Sequence, residues 1–259
     1  MIMASLKELN AYLDSLLDLP RYAADASNNG LQFQGADKVE KAVFAVDACE
    51  AVFHAAADLD ADFIFVHHGI SWGPGVKRIQ DIMAKRITLL AANGMSLYAA
   101  HLPLDANDTI GHNALLAKMM KLKNVAPFGT YCGLKIGFHG NLPKAMTMEQ
   151  LAVVLDKNLA STGDFQMIGE PDKKVKHPAV ISGGGAWPDV FTEAIRDGVD
   201  CLVTGELTHQ SYHYAEEAGV QVLTLGHYRS ETPGVLAVMN KVQETFKIKC
   251  DFIDCPTGL

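Results

Sequence analysis

Histidines and carboxylates follow several short apolar runs of this sequence. Imidazole nitrogens and carboxylate oxygens together suit zinc, iron or manganese, and a carboxylate can also bridge two ions. These residue types therefore predict a site for two divalent metal ions per chain. The residues at or just past the ends of the runs are His67, His68, His101, Asp105, Glu206, His227 and Glu231.

His67 and His68 are the strongest pair in this set. Side chains of adjacent residues in a strand point to opposite faces, so both histidines can bind metal only where the strand ends and the backbone turns. Gly69 makes that turn easy, and the glycine- and proline-rich residues 71–75 predict a loop at the mouth of the site. A single histidine near a strand end is more often a hydrogen-bonded or surface residue. For that reason we assign no role in the site to His54, His112, His139, His177 and His213.

The apolar runs alternate with segments of helical period, which is the rhythm of βαβ units. Runs that are apolar at every position suit strands of a parallel sheet covered by helices on both faces. Ligands of such sheets bind beyond the carboxyl ends of the strands, where the polar residues fall. The predicted strands include residues 43–46, 63–66 and 96–100 in a first set, and 179–182, 201–204 and 221–225 in a second.

The two sets of runs also match in their endings. His101 precedes Asp105 and His227 precedes Glu231 at the same spacing, in each set after the third run. This correspondence predicts an internal repeat. Asp105 can also act as a turn or helix-capping residue and Glu231 can lie in the first turn of the last helix, and both roles are compatible with metal ligation. The segment at 182–185, Ser-Gly-Gly-Gly, lacks the Lys and Ser/Thr of a P-loop and predicts a tight turn.

Composition limits the kind of protein. The chain has 259 residues, of which 49% are hydrophobic and 20% charged, and this balance predicts a globular protein of one large or two small domains. The net charge of -8 argues against a nucleic-acid surface. The first ten residues show no leader or membrane-spanning run, so we expect a cytoplasmic protein with no membrane association. Five cysteines without a CxxC pair predict reduced thiols.

Several motifs carry a family resemblance: NGLQ at 29–32, ADFIFVHHG at 61–69, AAHLPLDA at 99–106, TGELTH at 204–209 and LGHYRSE at 225–231. In this order they resemble the GTP cyclohydrolase I type 2 homologues, also called the Nif-three-like dinuclear-metal proteins, in the compact bacterial form without an inserted middle domain. The resemblance implies an α/β fold of two related, interlocked lobes, which we place at 1–126 with 228–259 and at 127–227. It also implies a ring-shaped homohexamer with metal sites facing an internal cavity. The implied metal ligands are His67, His68, Asp105, His227 and Glu231, with Glu231 as the bridge.

Three functions follow as hypotheses. The first is a metal-dependent hydrolase whose activated water attacks a nucleotide, another phosphate ester or a cyclic amide. Glu206 would then move protons, and His101 and His209 would orient ligands or hold a leaving group. The second is a protein that binds, delivers or scaffolds metal without catalysis. Nucleic-acid processing ranks last because of the acidic charge.

Overall fold

Helices and strands alternate along the chain, as the apolar runs predict. A computed structural model of the protein describes residues 3–75, 77–159 and 165–259. The helices are α1 (Leu6–Leu16), α2 (Glu50–Asp58), α3 (Asp81–Ala92), α4 (Leu102–Asp105), α5 (His112–Met119), α6 (Met148–Asp156), α7 (Pro188–Asp197), α8 (His209–Ala218), α9 (His227–Ser230) and α10 (Thr232–Phe246). The strands are β1 (Ala4–Ser5), β2 (Gly30–Phe33), β3 (Lys38–Val39), β4 (Lys41–Asp47), β5 (Phe63–His68), β6 (Ser96–Ala99), β7 (Lys123–Tyr131), β8 (Leu134–Asn141), β9 (Met167–Ile168), β10 (Pro178–Ile181), β11 (Cys201–Thr204), β12 (Gln221–Thr224) and β13 (Lys249–Phe252). The protein is a mixed α/β protein, which confirms the predicted fold class.

The chain divides into two compact units. The first consists of Met1–Leu104 and Val235–Cys255, and the second of Asp105–Gly234 and Pro256–Leu259. Each unit has its own sheet and its own apolar core. The lobes that the sequence places at 1–126 with 228–259 and at 127–227 stay a prediction about domain organisation.

The sheet of the first unit has the strand order β13-β4-β5-β6-β2. Strands β13, β4, β5 and β6 run parallel, and β2 is antiparallel to β6. The short strands β1 and β3 pair separately. Residues of β4 and β5 are buried at nearly every position, among them Phe44, Phe65 and Val66, which explains why these runs lack polar alternation. The carboxyl ends of β4, β5 and β6 consequently lie side by side.

The sheet of the second unit has the strand order β7-β8-β10-β11-β12-β9. Its centre is again three consecutive parallel strands, β10, β11 and β12. Strand β8 pairs antiparallel with β10, β7 with β8, and β9 with β12. Each unit thus contains a parallel trio formed by one of the two predicted sets of apolar runs.

Local sequence signals set the helix boundaries. The Ser5 side chain accepts a hydrogen bond from the Glu8 amide at the start of α1. Thr147 and Gln150 form a complete capping box at the start of α6. Helix α7 ends at Gly198, whose φ of 69° is the left-handed conformation that glycine adopts without steric cost. No helix among the described residues is long and apolar enough to cross a membrane.

Candidate metal centre

Three histidines meet in the first unit at the ends of β5 and β6. His67 and His68 are the last residues of β5, and His101 follows β6. One ring nitrogen of each lies within 4.8 Å of the others, which is close enough for the three to share a metal ion. The ring centroids of His67 and His68 are 4.5 Å apart. The strand therefore ends where both adjacent imidazoles reach the same region, as two ligands from adjacent residues require.

Each of these imidazoles is oriented by a hydrogen bond from Nδ1. His67 Nδ1 donates to the carbonyl oxygen of Ala100 at 2.8 Å, and His68 Nδ1 donates to Asp47 Oδ1 at 2.8 Å. A histidine whose Nδ1 carries the proton presents the lone pair of Nε2, and an acceptor behind the ring is the usual support of a metal-binding histidine. His67 is fully buried. The first unit thus holds two imidazoles whose Nδ1 atoms face hydrogen-bond acceptors, with Nε2 on the other side of each ring.

Asp25 orients the third histidine. His101 Nδ1 lies 3.0 Å from Asp25 Oδ1, and the amide of Leu102 donates to Asp25 Oδ2. Burial raises the pKa of the Asp25 carboxyl, but the hydrogen bond and charge of His101, with hydrogen bonds from Asn29 and Ser27, outweigh burial and lower the pKa to about 2. Asp25 is consequently ionised at neutral pH and acts as an acceptor for the imidazole.

A short loop after β5 forms one wall of this cluster. The ring centroids of Trp72 and His101 are 5.0 Å apart. Trp72 Nε1 donates a hydrogen bond to the carbonyl oxygen of Gly69. Gln32 braces the loop, because its Oε1 accepts hydrogen bonds from the amides of Ile70 and Ser71. A side chain at position 69 would overlap Gln32 Oε1. The predicted loop therefore packs beside the histidines and is hydrogen-bonded to Gln32 of the NGLQ segment.

In the second unit, α9 begins three residues after β12 and carries His227, and Glu231 directly follows α9. His227 Nε2 lies 3.2 Å from Glu231 Oε1, and His227 Nδ1 lies 3.1 Å from Glu206 Oε1. Glu231 is buried, whereas the Glu206 side chain is 45% exposed. Burial lowers the pKa of His227, but hydrogen bonds and charge attraction from Glu231 and Glu206 outweigh burial and raise the pKa from 6.5 to about 9. Without metal, His227 is a cation between two carboxylates.

Gly183 packs against Glu231 and His227. It has a φ of 59°, and a Cβ added there would overlap Glu231 Oε1 and lie 3.0 Å from His227 Nε2. Its amide donates to Ser230 Oγ, and its carbonyl oxygen accepts from the amides of Gly205 and Glu206. The glycine turn at 182–185 is thus a close backbone wall beside the candidate ligands.

Asp105 is buried in the second unit. Ser182 Oγ donates to Asp105 Oδ1 at 2.9 Å, and Asn113 Nδ2 donates to the Asp105 carbonyl oxygen. A ring nitrogen of His112 lies within 4.8 Å of an Asp105 carboxylate oxygen. His112 is itself fully buried, and its Nδ1 accepts a hydrogen bond from the Gly234 amide. His112, to which the sequence assigns no role, is therefore a neighbour of a predicted ligand.

The predicted site residues thus form groups in the two units. His67, His68 and His101 cluster in the first unit; in the second, His227 contacts Glu206 and Glu231, and Asp105 lies beside His112. His209 is the first residue of α8 and is exposed. The sequence prediction missed Asp25, Asp47, His112 and Ser182. Asp47 had a visible signal, since it ends the apolar run of β4 just as His68 ends that of β5.

Comparisons with known proteins agree on one family. Residues 4–257 match the family Duf34/NIF3 (NGG1p interacting factor 3). The GTP cyclohydrolase 1 type 2 homolog of Archaeoglobus fulgidus is 40% identical over 98% of this chain and 100% of its own length. The protein of the same name from Pyrococcus abyssi is 39% identical over 98% of this chain and 99% of its own length.

Two solved structures share the fold over nearly the whole chain. TTHA1606 from Thermus thermophilus superposes with a TM-score of 0.85 and 33% identity, covering 99% of this chain and 100% of that one. A protein called ybgI, of unknown function, gives a TM-score of 0.88 and 30% identity over 99% of this chain and 100% of its own. The chain belongs to the Duf34/NIF3 family.

Proposed function

We propose that this protein binds two divalent metal ions per chain and uses them as a hydrolase. The proposed ligands are His67, His68, Asp105, His227 and Glu231, with Glu231 as the bridging carboxylate. The observation that carries the proposal is the pair of Nδ1 hydrogen bonds from His67 and His68, which present both Nε2 atoms as metal donors. The family membership supports the same assignment.

The chemistry of the donors fits divalent ions. Neutral imidazole nitrogen and carboxylate oxygen suit zinc, iron and manganese, and none of the proposed ligands is a thiol. Asp105 and Glu231 are buried, and buried carboxylates are costly unless they are paired or bind a metal. A positively charged ion would take the place of the proton that His227 holds between two acids.

The chain's own groups have distinct roles in the proposed reaction. A bound pair of ions would lower the pKa of a shared water and polarise the substrate. Glu206 accepts and returns protons, because its carboxylate is half exposed and lies beside His227. His101, oriented by Asp25, holds the substrate or leaving group. The Trp72 loop limits the entry of water on one side.

Nucleotides are the first substrate class to test. The relatives carry the name GTP cyclohydrolase 1 type 2 homolog, and two-metal hydrolysis is well suited to phosphate esters. Phosphomonoesters, phosphodiesters and cyclic amides are the other members of the panel. Nucleic acid is not an expected substrate, given the net charge of -8.

Metal content tests the first half of the proposal. Protein purified without chelator is analysed by inductively coupled plasma mass spectrometry beside the double variant His68→Ala, Glu231→Ala. We expect about two divalent ions per chain in the parent, as two-metal sites require, and loss of them in the variant. The matched control is His54→Ala, Glu217→Ala, which changes an exposed histidine and an exposed glutamate and should keep the metal. A parent that stays empty after loading with zinc, manganese and iron overturns the proposal.

Turnover tests the second half. The metal-loaded parent is assayed on the substrate panel beside Glu206→Gln, which should retain metal and lose most activity. If the loaded parent turns over nothing but transfers its metal to a metal-free acceptor protein, the hydrolase proposal fails and metal delivery becomes the function. Equal activity of the parent and of Glu206→Gln removes the proton-transfer role.

Assembly and location complete the proposal. We infer that the protein works as a cytoplasmic homohexamer, in the ring-shaped form that the family resemblance implies. Sedimentation velocity at several protein concentrations tests this state. A monomer at micromolar concentration would contradict it.

A further inference from the structure

Two cysteines of the first unit leave its sheet at the same edge. Strand β13 runs parallel to β4, with Phe252 opposite Phe44, and the amide of Ile253 continues the pairing by donating to the Phe44 carbonyl oxygen at 2.8 Å. Cys49 follows the end of β4, and Cys255 follows the end of β13. Because parallel strands end at one edge, the segments that contain these cysteines emerge side by side.

The two thiols are in contact. The side chain of Cys255 is hydrogen-bonded to Cys49. Both cysteines are half-buried, and both pack against the apolar core of the first unit. Cys49 is also the N-cap residue of α2, with extended backbone angles. The pair is therefore held in place from both sides, by a helix start and by the pairing of β13.

We propose that Cys49 and Cys255 are a reversible oxidation site that low-molecular-weight disulfides convert to an intramolecular disulfide. The Cys49 thiolate attacks the small disulfide, forms a mixed disulfide and releases one small thiolate. The Cys255 thiolate then attacks the Cys49 sulfur, forms the Cys49–Cys255 bond and releases the second small thiolate. Two electrons pass from the cysteine pair to the small disulfide, and the protons of the two thiols pass to solvent or to the released thiolates.

The environment of Cys255 indicates which cysteine attacks the small disulfide first. Burial raises the pKa of the Cys255 thiol, and Cys49, Asp47 and Asp254 raise it further. Since the thiolate is the nucleophile, Cys255 is the poorer first attacker and is better suited to resolve the mixed disulfide, where its partner is already in contact. The same effect makes the reaction faster as the pH rises.

The cysteine pair lies close in sequence to the residue that orients His68. Cys49 lies two residues after Asp47, whose carboxylate accepts the hydrogen bond from His68. A bond between Cys49 and Cys255 would tie the segment after β4 to the segment after β13. Oxidation would thus act on the segment that supports one of the oriented histidines.

Treatment of the full chain with oxidised glutathione tests the proposal. We expect the thiol count of the denatured protein to fall through loss of both Cys49 and Cys255, and non-reducing digestion to yield one peptide that joins them. Dithiothreitol should restore all five thiols. The exposed Cys132 reports that the oxidant is active, because it should form a glutathione adduct in the same sample. A Cys132→Ser variant should still form the internal bond.

Single variants separate the two steps. Cys255→Ser should accumulate a glutathione adduct on Cys49, whereas Cys49→Ser should be modified more slowly at Cys255. Circular dichroism checks that each variant is folded. The proposal is overturned if Cys132 reacts while Cys49 and Cys255 remain thiols, if they carry only glutathione, or if they bond to other cysteines.

Discussion

Asp47 and His68 are directly opposite each other on the neighbouring parallel strands β4 and β5, and His68 Nδ1 donates to Asp47 Oδ1 at 2.8 Å. The acceptor therefore comes from the sheet itself and not from a loop. A strand pair holds a histidine orientation more firmly than a loop does, because its backbone hydrogen bonds limit movement along the strand. Asp47 is consequently a positioning residue for a proposed ligand.

Replacing Asp47 should weaken metal binding without removing a ligand. We expect Asp47→Ala to lower zinc affinity about 10- to 100-fold, as loss of the acceptor behind a metal-binding histidine commonly does. Asp47→Asn, which keeps an acceptor but not the charge, should fall between the alanine variant and the parent. Competition with a chromophoric chelator measures the affinities. Asp251→Ala is the control, since this aspartate on β13 pairs with Lys41 at 3.2 Å. Equal losses in both alanine variants would contradict the role of Asp47.

Substitution of Gly183 should disturb Glu231 and His227 together. Gly183→Ala puts a Cβ on Glu231 Oε1 and also forces alanine into a φ of 59°. The left-handed backbone alone costs about 1–2 kcal/mol of folding free energy, and metal binding should fall as well. Gly184→Ala is the matched control, because its Cβ would meet only Glu206 Oε1 at an ordinary 3.5 Å. Urea unfolding and metal titration of the two variants should differ clearly, and similar curves would refute the close packing.

Metal binding should strengthen with pH. The pKa of His227 is raised from its ordinary 6.5 to about 9 in the metal-free fold. The protonated imidazole therefore stabilises the metal-free protein below pH 6.5, and this stabilisation is lost as the pH rises through about 9. A metal ion needs the neutral ring and must displace the proton, so affinity should rise about tenfold per pH unit between these values.

Calorimetric titration in buffers of different ionisation enthalpy measures the released proton. Glu206→Gln removes one of the acids that raise the pKa, so it should lower the pH at which affinity levels off. Glu216→Gln, on α8, should leave the profile unchanged. An affinity for metal that is constant across neutral pH would show that His227 does not bind it.

The loop beside the histidines should depend on Gln32. Gln32→Leu leaves the amides of Ile70 and Ser71 without their acceptor, and a lost acceptor of this kind costs about 1–3 kcal/mol. Urea denaturation measures the change in the free energy of unfolding. Gln34→Leu is the control, since Gln34 is exposed two residues later. Hydrogen exchange of the amides of residues 70–73 should rise only in Gln32→Leu.

The sequence predicted the part of the fold that depends on apolar runs. All six predicted strands of the two parallel trios are present, because strands buried on both faces carry an uninterrupted apolar signal. The edge strands β2, β7 and β13 were not predicted. Residues of β7 are mostly exposed, so its sequence lacks that signal. Strands β2 and β13 pair with β6 and β4, which are distant in the chain.

The sequence singles out the candidate ligands, whose role stays a prediction, and misses the residues that orient them. His67 and His68 stand out because two histidines precede a glycine after a buried strand. Asp25 supports His101 across 76 positions of sequence, and Ser182 reaches Asp105 across 77. No local sequence pattern predicts partners that are so far apart in the chain. His112 was passed over because one histidine at a helix start carries little information, and only its burial beside Asp105 distinguishes it.

The side-chain amide of Asn113 connects helix α5 to β8 and to the end of β10, which are antiparallel neighbours in the second sheet. Its Nδ2 donates to the Ile136 carbonyl oxygen on β8, and its Oδ1 accepts from the Ser182 amide just past β10. The same Nδ2 also donates to the Asp105 carbonyl oxygen. A small slide of β8 along β10 would therefore shift the backbone that carries the acid. Sequence changes in the β7–β8 hairpin could in this way adjust the position of Asp105, while every proposed ligand stays the same.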